Sequence, residues 1–175
     1  MATIHQPAPP FTLPDLEGAL HSLEEQSGRI AGRITVLNFW SAECSWCERT
    51  DPLLLECLQA WGNKVNLLTI ASNANESREL LASTAAARRL PLVLHDRMGQ
   101  VADLYGAQTT PHLFLIDRDG ILRYQGAFDD VTFRQRTPTQ FYLNLAVEAL
   151  LAGRLPDPAE TPAYGCTIMR FVHPD

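Results

Sequence analysis

The segment Ile34-Thr35-Val36-Leu37-Asn38-Phe39-Trp40 constrains this chain more than any other. Its β-branched, leucine and aromatic side chains, without strict polar alternation, give the pattern of a strand buried on both faces. Such a strand needs cover above and below, and the residues around it supply cover. Leu54, Cys57, Leu58 and Trp61 recur at helical spacing, with Pro52 expected to kink the helix that carries them. Residues 65–71 read as a second buried strand, 76–89 as a helix and 92–95 as a third strand. Alternation of strand and helix implies βαβ units with a parallel core. The expected fold class is α/β, a central mixed β-sheet flanked by helices.

Ahead of this core, residues 11–14 and 19–23, separated by Asp15-Leu16-Glu17-Gly18, read as a short hairpin. Beyond it come a short helix near 98–105, a strand over 112–117, a turn at Asp117-Arg118-Asp119-Gly120 and an antiparallel return over 121–124. Thr137 and Pro138 mark the cap and first turn of a last helix, which Gly153 closes. Residues 154–175 contain Pro156, Pro158 and Pro162 and read as an irregular surface tail. A chain of 175 residues is long enough for one domain with a real core and short for two. The expected organisation is a single domain, with an N-terminal hairpin extension over 1–30, a core over 31–153 and the tail over 154–175.

A formal net charge of −6, with no cluster of Lys and Arg, argues against a nucleic-acid partner. No apolar run approaches the ~20 residues that span a bilayer. The start of the chain is polar and proline-rich, with neither the basic nor the apolar stretch of a signal peptide. The expectation is a soluble, cytoplasmic protein without nucleic-acid or membrane partners.

Chemistry concentrates at Cys44-Ser45-Trp46-Cys47, where the buried strand gives way to a helix. A helix N-terminus stabilises a thiolate through unpaired N–H groups and the positive end of its dipole. Cys44, nearer the exposed start, is the expected attacking thiolate. Cys47, one turn in, is the expected resolving thiol. A zinc site needs four ligands, and the chain has no second C-x-x-C and no H-x-x-x-H. His95, Cys57 and Cys166 could be recruited only from a distance, so no metal and no cofactor are expected. A merely structural pair is the bland alternative. Cys57, on the apolar helical stripe, reads as an inert core thiol.

The stretch VLNFWSAECSWCERTDPLL resembles the active-site strand and helix of the thioredoxin-like thiol-disulfide oxidoreductases, with Pro52 at the family's kink position. TTPHLFLIDRDG is similar to their later motif. Taken alone, Thr110-Pro111 reads as an ordinary trans turn before a strand. The resemblance implies instead a cis bond facing the cysteines, whose backbone edge pairs with a bound peptide as an extra strand. PAPPFTLPDLEG, YGAQTTPHLFLIDRDGILRYQGAFDD and TPAYGCTIMRF extend the likeness over nearly the whole chain, and resemble the peroxiredoxin-like or redoxin-domain thioredoxin family proteins. This implies a thioredoxin-like fold that exchanges disulfides with protein substrates, supplied by an unidentified thiol electron donor. Cys44 and Cys47 would be catalytic, and Trp46, Thr110 and Pro111 would contact substrate. The alternatives are a thiol peroxidase working through Cys44, and a non-catalytic binding module.

The chain also departs from its relatives. Peroxiredoxins carry P-x-x-x-T-x-x-C, whereas Leu37 and Ser41 hold the Pro and Thr places here. Thioredoxin has a buried aspartate behind the cysteines. Asn38 stands there in this chain, which leaves Glu43, Glu48 or water to take the Cys47 proton, or makes Asn38 simply a buried amide bonded to backbone. Ser45-Trp46 replaces Gly-Pro, so Trp46 either forms an apolar rim for partners or covers the helix start. His112, if protonated, would lower the thiolate pKa, and is otherwise half-exposed at a strand start. Cys166 is expected to be packed, with a redox role only if the tail folds back towards Cys44.

Overall fold

The computed structural model describes residues 1–26 and 32–171; the end of the expected hairpin extension and the last four residues fall outside them. The strand that anchors the fold is β3 (Ile34–Trp40), and all seven of its residues are buried. It pairs in parallel with β4 (Val65–Ala71), which in turn pairs with β5 (Val93–His95). On its other side β7 (His112–Ile116) runs antiparallel and is followed by β8 (Leu122–Gly126), giving the order β5-β4-β3-β7-β8. The hairpin of β1 (Thr12–Pro14) and β2 (Leu20–Ser22) forms separately and leads into α1 (Leu23–Gln26). One oxygen of Asp15 accepts the N–H groups of Glu17, Gly18 and Ala19, which tightens the hairpin turn.

Alternation along the strands sorts the core into two faces. Leu37, Phe39, Leu68, Ile70, Phe114 and Ile116 face α4 (Gln100–Tyr105) and the N-terminal segment, where Phe39, Tyr105 and Phe114 pack in edge-on and tilted contacts. Val36, Leu67, Leu113 and Leu115 face α2 (Ser45–Trp61) and α5 (Tyr142–Leu151). The predicted stripe on α2 packs here, with Leu54 and Trp61 buried and Cys57 and Leu58 half-buried. α2 runs unbroken through Pro52. α3 (Arg78–Ala87) begins at Ser77, whose side chain accepts from Leu80 N–H, and closes the region around Trp40 and the cysteine pair. No helix among the described residues is long and apolar enough to cross a membrane.

Two expectations are corrected. The last helix begins at Tyr142, not near Thr137. Thr139 instead bonds the Asp130 carboxylate through both its N–H and its hydroxyl, and Gln135 donates to the same group, so this stretch closes a loop rather than opening a helix. Residues 154–171 are not an irregular surface tail. They run along β8, where Thr161 N–H donates to the Gln125 carbonyl and Gln125 N–H to the Ala159 carbonyl, and then form β9 (Cys166–Thr167) against β6 (Thr109–Thr110). Ile168 is buried in the core, and Arg170 closes the path by donating to Asp103 and to the Ala107 carbonyl.

The seam between β8 and this segment needs a glycine. Gly126 lies at φ +145°, and a Cβ there would sit 2.1 Å from Thr161 Oγ1 and 2.4 Å from its carbonyl oxygen. Thr161 cannot retreat, since its hydroxyl bonds both Tyr124 Oη and Ala127 N–H. Gly126→Ala is expected to cost about 3 kcal/mol, or ~6–12 °C in Tm by thermal unfolding. Gly120→Ala, at positive φ with nothing within 4 Å, should cost about 1 kcal/mol. Equal losses at the two sites would contradict the packing described.

Candidate active site

β3 ends at Trp40, and residues 41–43 carry the chain to the start of α2. A buried carboxylate and a half-buried guanidinium shape this turn. One oxygen of Glu76 accepts Ser41 Oγ at 2.7 Å and Glu43 N–H at 2.9 Å. Arg88 donates to the Ala42 carbonyl at 2.9 Å and to Asp51 at 3.0 Å. Cys44 is the N-cap of α2 in extended conformation, and its carbonyl receives the first helical bond, from Glu48 N–H. The pair therefore sits at a helix N-terminus, on the carboxyl end of the central strand.

Both sulfurs are buried, as thiols. Hydrogen bonds from Cys47, and then from Cys166, hold Cys44 as a thiolate against the cost of burial and bring its pKa down to about 4. The Thr110 carbonyl, 3.0 Å from Cys44 Sγ, accepts from the protonated thiol. Burial first, and then the neighbouring Cys44, push Cys47 well above the ordinary thiol range. The two thiols thus divide into an ionised and a protonated member, as the attacking and resolving assignments require. The expectation that Cys44 is exposed fails: it is only 1% exposed.

What covers it is the C-terminal segment. The register of β6 and β9 sets Cys166 opposite Thr110, and Cys166 packs against the cluster that contains Cys44 and Cys47 at the start of α2. Thr110 and Pro111 are buried beneath this strand, and the peptide bond between them is cis. Trp46 is half-buried at the rim, edge-on to Tyr164 at 4.9 Å and to Phe133 at 5.4 Å, with Arg49 over its ring. Phe133 is 68% exposed, so the rim is apolar and open. Among the described residues, no three His, Cys, Asp or Glu side chains are grouped to hold a metal.

Several predicted neighbours stand elsewhere. His112 is half-buried on the sheet face away from α2, stacked on Phe114, and its loss of solvation lowers its pKa to about 4. It is neutral at physiological pH and offers Cys44 no positive charge. Glu43 and Glu48 are exposed, while Cys47 is buried, so neither is placed to take its proton. The group that the sequence reading missed is Asp51, one helical turn beyond Cys47 and 1% exposed. Its Oδ2 accepts Trp40 Nε1 and Arg88, its Oδ1 has no partner, and burial raises its pKa. The i, i+4 spacing from Cys47 was the available signal. Asn38 is buried with its side-chain oxygen unpartnered, so it is not bonded to backbone through that atom.

With this geometry in view, the comparisons narrow the chemistry. The AhpC/TSA family model matches residues 4–125. The thiol-disulfide oxidoreductase ResA of Geobacillus thermodenitrificans is 36% identical over 115 residues, which are 65% of this chain and 63% of that protein. The chain thus spans less than two thirds of the length of the ResA relatives it matches. An uncharacterized conserved protein of Geobacillus kaustophilus superposes with a TM-score of 0.89 at 26% identity, over 99% of this chain and 95% of its own. The thioredoxin domain of a thiol-disulfide oxidoreductase from Bacteroides vulgatus superposes at 0.60 with 23% identity, over 70% of this chain and 86% of its own. The fold is thioredoxin-like. The family model stops before the C-terminal segment, whereas the likeness to the G. kaustophilus structure runs through it.

The titration of the site follows from its hydrogen bonds. Ultraviolet thiolate absorbance of the reduced protein should show one step near pH 4, leaving Cys44 ionised at neutral pH, with Cys47 and Cys166 still protonated. Cys44→Ser should abolish that step. A first thiol step at the unperturbed value of ~8.5 would contradict it.

Proposed function

On the premise that this chain belongs to the AhpC/TSA family, we propose that it is a thiol-disulfide oxidoreductase acting on protein disulfides through Cys44 and Cys47. One observation carries the reading. Two thiols at a helix N-terminus are driven apart in pKa, the first far down and the second up. The Cys44 thiolate attacks a substrate disulfide, expels one sulfur as a thiolate and keeps the other as a mixed disulfide. Cys47 then loses its proton and attacks Cys44 Sγ. The second substrate sulfur leaves, the substrate gains two electrons, and Cys44–Cys47 is left as a disulfide for a thiol donor to reduce.

Asp51 is the proton acceptor in this scheme. It is buried beside Cys47, holds a free oxygen and has a raised pKa, so it can take a proton that the exposed Glu43 and Glu48 cannot reach. The apolar rim of exposed Phe133 beside half-buried Trp46 and Tyr164 gives a partner chain a surface to rest on. The peroxidase alternative is weaker, because Ser41, at the Thr place of the peroxidatic motif, donates its hydroxyl to Glu76 instead of facing a peroxide.

Insulin reduction with a dithiol donor tests the reading. Cys44→Ser should fall at least ~10²-fold below wild type, and equal rates would leave a non-catalytic binding module as the better account. Asp51→Asn should slow resolution of the mixed disulfide by about 10²-fold. Its resolution rate should climb with pH through the thiol range, as solvent hydroxide replaces the carboxylate, while the wild-type rate stays flat. A uniform loss at all pH values would mark Asp51 as merely structural.

A further inference from the structure

We propose that Cys166 is a third exchange thiol, carried by a built-in strand that occupies the groove beside Cys44 and able to form a disulfide with it. The proposal rests on the exchange chemistry just assigned to Cys44. β6 is a two-residue strand whose sheet partner, among the described residues, is β9. Because Cys44 Sγ lies against the Thr110 carbonyl, whatever residue pairs with Thr110 is set beside the attacking sulfur. In this chain that residue is a cysteine.

Its placement is specific. Gly165 passes so close to the Thr110–Pro111 backbone that a Cβ would lie 2.0 Å from the Thr110 carbonyl oxygen and 2.6 Å from its carbon. Only glycine allows the strand to approach this far, and the next residue, Cys166, then packs against the cluster that contains Cys44, where the N–H groups of Ser45 and Trp46 favour its thiolate. The strand is fixed on both sides, by Thr161 against β8 and by Ile168, Met169 and Arg170 against the core, Asn73 and Asp103. Cys44 is buried beneath it, while Cys166 is half-buried and nearer solvent.

The chemistry balances without an outside reagent. Starting from the Cys44–Cys47 disulfide, the Cys166 thiolate attacks Cys44 Sγ. The Cys44–Cys166 bond forms, the Cys44–Cys47 bond breaks with its electron pair on Cys47, and the proton lost by Cys166 goes to Cys47. No net oxidation occurs. Starting from a mixed disulfide on Cys44, the same attack expels the substrate sulfur as a thiolate. The substrate is reduced by two electrons, and Cys44 and Cys166 are oxidised to a disulfide. Cys166 is held up at about 11 by burial and then by the neighbouring Cys44. Tying Cys44 into a disulfide removes its negative charge, and the two helix amides then favour the Cys166 thiolate at the step that uses it.

Reduced Cys47→Ser protein treated with oxidised glutathione decides the matter. Cys44 takes up glutathione, and Cys166 then expels it, so non-reducing peptide mapping should find a Cys44–Cys166 cross-linked peptide. Cys47→Ser/Cys166→Ser should retain at least ~10-fold more glutathione on the Cys44 peptide. Equal retention in the two variants, with no cross-linked peptide, would overturn the proposal while leaving Cys44 exchange intact. Absence of both glutathione on Cys44 and the cross-link would overturn the exchange reading and this inference together. Should the double variant fail to fold, the cross-linked peptide in Cys47→Ser alone supports the proposal by its presence and refutes it by its absence.

Discussion

A strand with no solvent-facing residue is the constraint on which the rest of this molecule depends. β3 must be covered on both faces and flanked on both edges, and every larger element answers one of those demands. β4 and β7 occupy the edges, α4 and the N-terminal segment one face, and α2 and α5 the other. The strand can end only where polar backbone finds partners again. There the Ser41 to Glu43 turn is held by Glu76 and Arg88, and a helix begins with its amide groups free to hold an anion. Position at the end of a buried strand thus gives the cysteine pair both its rigidity and its charge.

Buried charge is the second organising element, and it is concentrated around the site. Asp51, Glu76, Asp96 and Asp129 are all buried, and each accepts hydrogen bonds that tie separate elements together. Arg88 joins α3 to α2 through Asp51, and Arg49 joins α2 to the segment after β8 through Asp129. Removing one partner of such a pair leaves the other charge uncompensated in a low dielectric, which is more damaging than replacing both. Three of these four carboxylates, Asp51, Glu76 and Asp129, also keep one oxygen without a partner. Unspent acceptor capacity next to a reactive thiol is where proton movement has somewhere to go.

The elements that were legible in the sequence are those whose signal is periodic. β3, β4, the α2 stripe and the β1–β2 hairpin follow from apolar spacing and turn residues, and with them the position of Cys44 and Cys47. Thr137-Pro138 carried a good helix-start signal, but Asp130 offers Thr139 a carboxylate close by, and local side-chain bonding won over the helix. The C-terminal segment was illegible because its strand has only two residues and its hold on the core is made by single contacts, Thr161, Gly165 and Ile168, that follow no period. Three prolines in the same stretch pointed towards irregularity, and they are compatible with a segment that borrows its hydrogen bonds from side chains. His112 is half-buried at the start of its strand, as expected of a histidine there, and the charged role fails because adjacency to Pro111 in sequence says nothing about which face of the sheet the next side chain takes.

The pairing of β9 with β6 has a consequence for how any other molecule reaches this groove. A strand tethered to its own site competes at an effective concentration that, for short connections, is of order millimolar. If the strand's own affinity for the bare groove is micromolar, an external peptide is weakened by about three orders of magnitude, whatever its own affinity. Displacement favours chains that bring additional contact area, and the exposed rim of Phe133 beside Trp46 lies where such area could be gained without first moving the strand. The fold thus filters its partners by how much surface they offer, before any sulfur is exchanged.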